Sequence, residues 1–267
     1  MKVLAVGDII GKPGRMAIRY VLEKLKGTFD VVIVNVENAA GGFGLTKEVY
    51  SELKSYGIDL MTSGNHIWDK KEIHEFIDNV PDLLRPANYP YGVPGKGYGI
   101  FDKNNVKFAL INLMGRVFLD TNLDSPFSSF DRIYEEVSKE TKIILVDFHA
   151  ETTSEKWAFG IYVDGRASFV FGTHTHVPTA DQIILKYGTG YISDIGMSGC
   201  WYSVIGMKPK EAIERFLKGI PKKYEVEERG DLVFNGVVAD IDEASGRTTN
   251  IKRLQYYITK EELWKGL

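Results

Sequence analysis

The sequence predicts an α/β protein in which mixed β-sheets form a sandwich flanked by helices. Two observations carry this. Up to residue 79, short apolar runs alternate with helical periodicity in the order β-α-β-α-β-α, the signature of units built on parallel strands. Beyond residue 97 strand patterns dominate, and the continuous apolar run at 143–146 suits a strand buried on both faces. No linker, repeat or low-complexity segment interrupts the 267 residues, so one domain spanning 1–267 is expected.

The elements follow in order. Residues 3–6 are the first strand, ended by Gly7-Asp8. The 13–26 stretch is a helix, with Ile18, Val21, Leu22 and Leu25 on one face and Pro13 suited to its first turn. Residues 31–36 are a second strand, 46–56 a second helix and 60–62 a third strand. A third helix is expected over 69–79, with Asp69 as its N-cap. Residues 85–99, rich in Pro, Gly, Asn and Tyr, predict a long loop of the kind that often carries function. Its Tyr89, Tyr91 and Tyr98 fit loop packing better than base stacking. Strands at 98–101 and 106–113 pair across Lys103-Asn104-Asn105. A helix at 131–139 is followed by a strand at 143–148 that ends in His149. A helix at 151–164 leads to a strand at 169–171. Residues 183–185 pair with 191–192, 208–218 are helical, and 232–240 pair with 249–258 around Ser245-Gly246.

Composition removes several function classes. The net charge of −3 supplies no global basic field, so stable nucleic-acid binding is not expected. A single cysteine, Cys200, excludes an internal disulfide and a thiolate zinc site, and is read as a small buried residue. The first apolar run is too short for a signal segment, and no stretch approaches a membrane helix. A soluble cytoplasmic protein is expected.

The chemistry lies at the ends of the apolar runs. Four of the five histidines fall in three short motifs: Gly64-Asn65-His66, Asp147-Phe148-His149 and Gly172-Thr173-His174-Thr175-His176. Asp8 and Glu37-Asn38 also follow apolar runs. If those runs are parallel strands, their C-terminal ends deliver all these groups to one sheet edge. Imidazole, carboxylate and amide oxygen without thiolate suit a pair of divalent cations rather than a structural zinc. Taken alone, Asp8 reads as a turn or cap residue, and Asn38 with Gly41-Gly42 as a plain turn. Together they read as ligands, with Glu37 bridging two cations because a buried carboxylate needs such compensation. Asn65 offers a neutral oxygen. His66, pointing elsewhere, suits a proton donor to a leaving oxygen. In His174-x-His176 a period of two places both rings on one side. His74 is a solvated helical bystander. The segment Asp194-Ile195-Gly196-Met197 reads equally as site rim and as plain loop.

These motifs, in this order, resemble the calcineurin-like metallophosphoesterases. More closely, Val6 through Arg15, Glu37 through Gly42, Asp147 through Glu151 and Gly172 through Asp181 resemble the YmdB-like family of bacterial metallophosphoesterases. The resemblance runs from the first strand to at least Met207. It implies a four-layer αββα sandwich and two divalent ions per chain, iron or manganese ahead of zinc. It also implies Asp8, Glu37, Asn38 and His176 on one ion, Glu37, Asn65, His149 and His174 on the other, and His66 as the catalytic histidine. The broad superfamily has Asp-x-His where this chain has Asp8-Ile9-Ile10, so Asn38 stands in for the missing nitrogen; Glu37 likewise replaces an aspartate. The implied activity is a phosphodiesterase of small cyclic nucleotides, 2′,3′- or 3′,5′-, such as cAMP, acting by metal-activated hydroxide attack on phosphorus. Other readings are a phosphomonoesterase or nucleotidase on the same centre, or a non-catalytic regulator that binds nucleotide or RNA. Homo-oligomerisation is left open, as are the substrate-binding residues.

Overall fold

The structure, a computed structural model, describes residues 1–119 and 122–265. The chain runs β1 (Lys2–Val6), β2 (Asp8–Ile9), α1 (Gly11–Lys24), β3 (Val31–Asn35), α2 (Lys47–Ser55), β4 (Leu60–Thr62) and α3 (Ile73–Phe76) with a 3₁₀ turn behind it. Then come β5 (Tyr98–Lys103), β6 (Val106–Met114), α4 (Pro126–Val137), β7 (Ile144–His149), α5 (Thr153–Val163) and β8 (Phe169–Thr173). β9 (Ile183–Ile184), β10 (Gly190–Ile192), β11 (Met197–Cys200), α6 (Pro209–Lys218), β12 (Leu232–Ile241), β13 (Thr248–Ile258) and α7 (Lys260–Lys265) complete it.

One sheet has the order β2-β11-β12-β1-β3-β4, with β13 beside β12; the other has the order β5-β6-β7-β8-β10-β9. β1, β3 and β4 run parallel, as do β6, β7, β8 and β10, while β12, β5 and β9 are antiparallel to their neighbours. Strand alternation builds the layers. Leu4 and Val6 face α1 and α2, packing with Val32, Val34, Ile18, Val21 and Leu53. Val3 and Ala5, one residue out of phase, face the second sheet with Ile33, Leu110, Leu145, Phe169 and Phe171. The far side of that sheet buries Ile111, Val146 and Val170 against Phe130, Ile133 and Phe159 of α4 and α5. The result is the four-layer αββα sandwich, with each buried aliphatic or aromatic side chain contributing about 1.5–3 kcal/mol over exposure. Among the described residues no helix is long and apolar enough to cross a membrane.

Several local expectations are corrected. Asp8 starts the two-residue strand β2, which pairs parallel with β11; neither strand was expected. Their signal is too short to stand out from a loop. The 69–79 helix shrinks to α3, with Glu72 at its N-cap, because Asp69 binds His66 Nδ1 instead of capping. The 131–139 helix begins earlier, at Pro126, a proline at its N-terminal turn. The 151–164 helix begins at Thr153, capped by the Thr152 side chain, which leaves Glu151 outside it. The hairpins at 98–113 and 232–258 form as expected, the second with a register irregularity at Asp240/Ile241.

Candidate metal centre

The C-terminal ends of β1, β3 and β4 from one sheet meet those of β7 and β8 from the other. Asp8 follows β1, Glu37 and Asn38 follow β3, and Asn65 and His66 follow β4. His149 closes β7, and His174 and His176 follow β8. The structure brings all eight together. Glu37, His149 and His174 present donor atoms within 4.8 Å of one another. His149 Nε2 stands 3.2 Å from Glu37 Oε1, 3.0 Å from Asn65 Oδ1 and 3.0 Å from His174 Nδ1. Beside this group, His176 Nε2 lies 3.8 Å from Asp8 Oδ1 and 3.3 Å from the Asn38 amide, which also reaches Glu37 Oε1 at 3.1 Å. Glu37 therefore sits between an Asp8–Asn38–His176 set and an Asn65–His149–His174 set. Ile9 and Ile10 are fully buried in apolar clusters and point no donor at the centre.

Each imidazole is held by its other nitrogen, which fixes the one aimed inward. His149 Nδ1 meets Thr173 Oγ1 at 2.8 Å, and that hydroxyl donates to Asp147 Oδ1 at 2.7 Å. Asp147 Oδ2 in turn accepts from Thr62 and Asn35, so a buried polar web underpins the centre. His174 Nε2 meets Glu151 Oε2 at 3.0 Å. His176 Nδ1 donates to the Ile205 carbonyl at 2.9 Å.

Both rings of His174 and His176 face the centre, but through a turn rather than an extended strand. Both adopt left-handed backbone, with φ of 102° and 66°. Such backbone is costly for non-glycine residues and persists where surroundings over-determine it. Those surroundings are visible. Asp8 Oδ2 accepts from the His174 N–H at 3.1 Å, and Asp194 Oδ2 accepts from the Thr175 N–H at 3.1 Å. Asp194 also accepts from Gly196 N–H and pairs with Lys156 Nζ at 2.6 Å, both side chains only 1% exposed. Asp194 is therefore a buried brace behind the histidine turn rather than a rim residue.

Burial sets the electrostatics. It raises the Asp8 carboxyl above its ordinary range, and nearby His176 and His149 only partly oppose this. Burial also disfavours charge on Glu37, but the adjacent His149 and the His66 N–H, 3.0 Å from Oε2, outweigh it and hold the carboxyl well below normal. Burial lowers His149, yet Glu37 raises it to about 9. Burial, then His149, push His174 down to about 3, leaving a neutral ring. Burial lifts Asp147 to about 6 against its three hydrogen bonds.

His66 stands at the rim with Nδ1 2.8 Å from Asp69 Oδ2 and its ring edge against Phe43. His74 is exposed and stacks on Trp68, and Cys200 is buried. Tyr89 packs edge-on against Trp68, while Tyr98 donates to Glu136; Tyr91 is fully exposed. Sequence reasoning missed Thr173, Glu151, Lys156 and the Ile205 carbonyl. The first two lie inside quoted motifs, where a signal existed; a lone lysine in a helix and a backbone carbonyl give none.

Two facing mixed sheets with oxygen and imidazole donors at their strand ends are the calcineurin-like metallophosphoesterase fold, and the protein has that fold. Within it, the chain belongs to the YmdB-like protein family, whose profile matches residues 4–254. A 2′,3′-cyclic-nucleotide 2′-phosphodiesterase of Bacillus subtilis (strain 168) is 48% identical over 256 residues, covering 95% of this chain and 96% of that protein. A hypothetical protein from Thermus thermophilus superposes with a TM-score of 0.91 at 39% identity, covering 97% of this chain and all of that one. A structure described as a novel phosphatase from Mycoplasma pneumoniae gives a TM-score of 0.91 at 36% identity, covering 99% and 96%. The chain is accordingly a hydrolase of phosphoric esters.

Proposed function

We propose that this protein hydrolyses 2′,3′-cyclic nucleotides to nucleoside 3′-phosphates, using two divalent cations held by the centre. The observation that carries the reading is the convergence of six oxygen- and nitrogen-bearing residues around Glu37, in a chain 48% identical to a 2′,3′-cyclic-nucleotide 2′-phosphodiesterase. The 2′,3′ diester is chosen over the 3′,5′ because it is the substrate named for that relative.

The residues fit cations. Asp8 Oδ1 is buried with no hydrogen-bond partner, a costly state for a carboxylate oxygen that a cation would relieve. The donor set is carboxylate, amide and imidazole, which suits iron, manganese or zinc. Asp8, Glu37, Asn38 and His176 would hold one ion, and Glu37, Asn65, His149 and His174 the other, with Glu37 shared. When bound, the ions supply Lewis acidity toward the phosphate and make water nucleophilic at neutral pH. The chain's own residues do the rest. Asp147, Thr173, Glu151 and Ile205 hold the imidazoles in the tautomers that aim lone pairs inward. His66, with Nδ1 on Asp69, has Nε2 available. Asp69 fixes the ring through Nδ1, and Nε2–H of the protonated ring delivers a proton to O2′ as the P–O2′ bond breaks and the hydroxyl of water joins phosphorus; the proton that the water gives up passes to solvent, from which His66 is reprotonated.

The test is turnover of 2′,3′- and 3′,5′-cyclic nucleotides and the matching monoesters with manganese or iron added. Preference for the 2′,3′ diester is expected; faster monoester hydrolysis would reject the reading. Glu37→Gln is expected to lose at least one ion per chain by elemental analysis, and unchanged stoichiometry would count against bridging. Glu151→Ala is expected to weaken cation binding about 10- to 100-fold in chelator competition. Glu151→Gln, which keeps an acceptor for His174 Nε2–H, should fall between.

A further inference from the structure

Beside the centre lies a cavity of about 320 Å³ whose two halves differ in chemistry. One half is the centre's own side chains: Glu37, Asn38, His66, Glu151, His174 and His176, with Thr175. The other half is apolar: Phe43, Val204, Met207, Phe216 and Tyr224, closed by Ile205 and Ala212. Phe43 links the halves, its ring centroid 4.9 Å from that of His66. Ala212 is buried and anchors α6, whereas Phe216, one turn on, is 78% exposed at the cavity's edge. A large aromatic left open beside a reactive centre is a recognition feature rather than core packing. A ligand that fills this cavity carries a phosphoester at one end and a flat, apolar face at the other.

We propose that Phe43, Phe216 and Tyr224 form the nucleobase site of this enzyme, receiving the base of the substrate while its phosphate lies at the centre. The inference rests on the cyclic-nucleotide reading for its substrate, but on residues outside the metal donors. Its size suits the occupant, since pockets for small ligands begin at about 300 Å³. Its chemistry sets the specificity. In the apolar half the Tyr224 hydroxyl is the one side-chain group able to hydrogen-bond, so base edges go unread while ring faces are stacked. Stacking tolerates every base. All four 2′,3′-cyclic ribonucleotides are therefore substrates of similar KM. The Ile205 residue joins the two functions. Its φ of 49° is unfavourable for a β-branched residue, its carbonyl meets His176 Nδ1, and the residue lines the cavity.

The experiment compares 2′,3′-cyclic AMP with glycerol 1,2-cyclic phosphate, which presents the same five-membered diester without a base. Phe216→Ala, a change at an exposed position, is expected to raise KM for the nucleotide about tenfold or more. It should leave kcat within about twofold, and leave the glycerol diester unchanged. Phe43→Leu, which keeps apolar bulk but no ring, should also raise KM for the nucleotide; because Phe43 packs on His66, only the KM of this variant is read. Equal losses on both diesters, no loss on either, or a change in oligomeric mass without a change in KM would overturn the base site. If the wild type turns over neither diester, the phosphodiesterase reading fails, and adenosine titration decides the site alone. Saturable binding weakened by Phe216→Ala supports it, and no binding rejects it.

Discussion

Replacing His66 by alanine is expected to leave the metal content unchanged while kcat for a 2′,3′-cyclic nucleotide falls about 10²- to 10⁴-fold, the usual contribution of a positioned acid. The two halves of this result follow from the geometry. The side chain of His66 meets Asp69 and Phe43, and among these contacts it touches no donor of the centre; only its backbone N–H reaches Glu37. Alanine keeps that N–H. The loss should concern kcat more than KM, because the proton is needed only as the P–O bond breaks. Asp69→Asn should reproduce part of the effect by loosening the ring that Asp69 Oδ2 holds at Nδ1. Elemental analysis with steady-state kinetics provides the check: full kcat in His66→Ala would remove the histidine from the mechanism, and loss of metal would make it a structural residue instead.

Gly64→Ala is expected to abolish cation binding although the backbone there is ordinary. A Cβ at Gly64 would overlap His149 Nε2 and Glu37 Oε2, the two atoms at the heart of the centre. Neither neighbour can retreat. His149 is fixed through Thr173 and Asp147, and Glu37 through the His66 N–H and the Asn38 amide. A single methyl group therefore spoils both donor sets without touching the core of either sheet. Isothermal titration with Mn²⁺ measures the outcome, and circular dichroism shows that the fold persists. Wild-type affinity in Gly64→Ala would mean that the donors do not converge as placed here.

Much of this centre was legible in the sequence because each donor directly follows an apolar run. Asp8 after residues 3–6, Asn65 after 60–62 and His149 after 143–148 need only strands and their ends to be located. The layers were legible for the same reason, since alternation in the first strands assigns Leu4 and Val6 to one face and Val3 and Ala5 to the other. What stayed hidden depends on long-range packing. Lys156 resembles a solvated helical lysine until the fold buries it on Asp194. Glu151 resembles the acidic start of a helix until that helix begins two residues later. The aromatic half of the cavity comes from three separate stretches around 43, 204–207 and 216–224, and nothing in the sequence brings them together. The left-handed histidines are invisible because His-x-His on a strand and His-x-His on a strained turn read alike.

The donors come from distant parts of the chain: Asp8 and the His174 N–H are 166 residues apart, Asn65 and His149 84. In an unfolded chain such groups are scattered, and no local segment holds more than a fragment of the set. The centre is thus a late product of folding, assembled only once both sheets have docked. Cations held by the centre would favour the finished sandwich over the open chain, so by mass action free cation well above its Kd would deepen the native well with the logarithm of its concentration. Cation bound there would tie the two sheets together at one end only, and so would hold closed the part of the fold that otherwise assembles last.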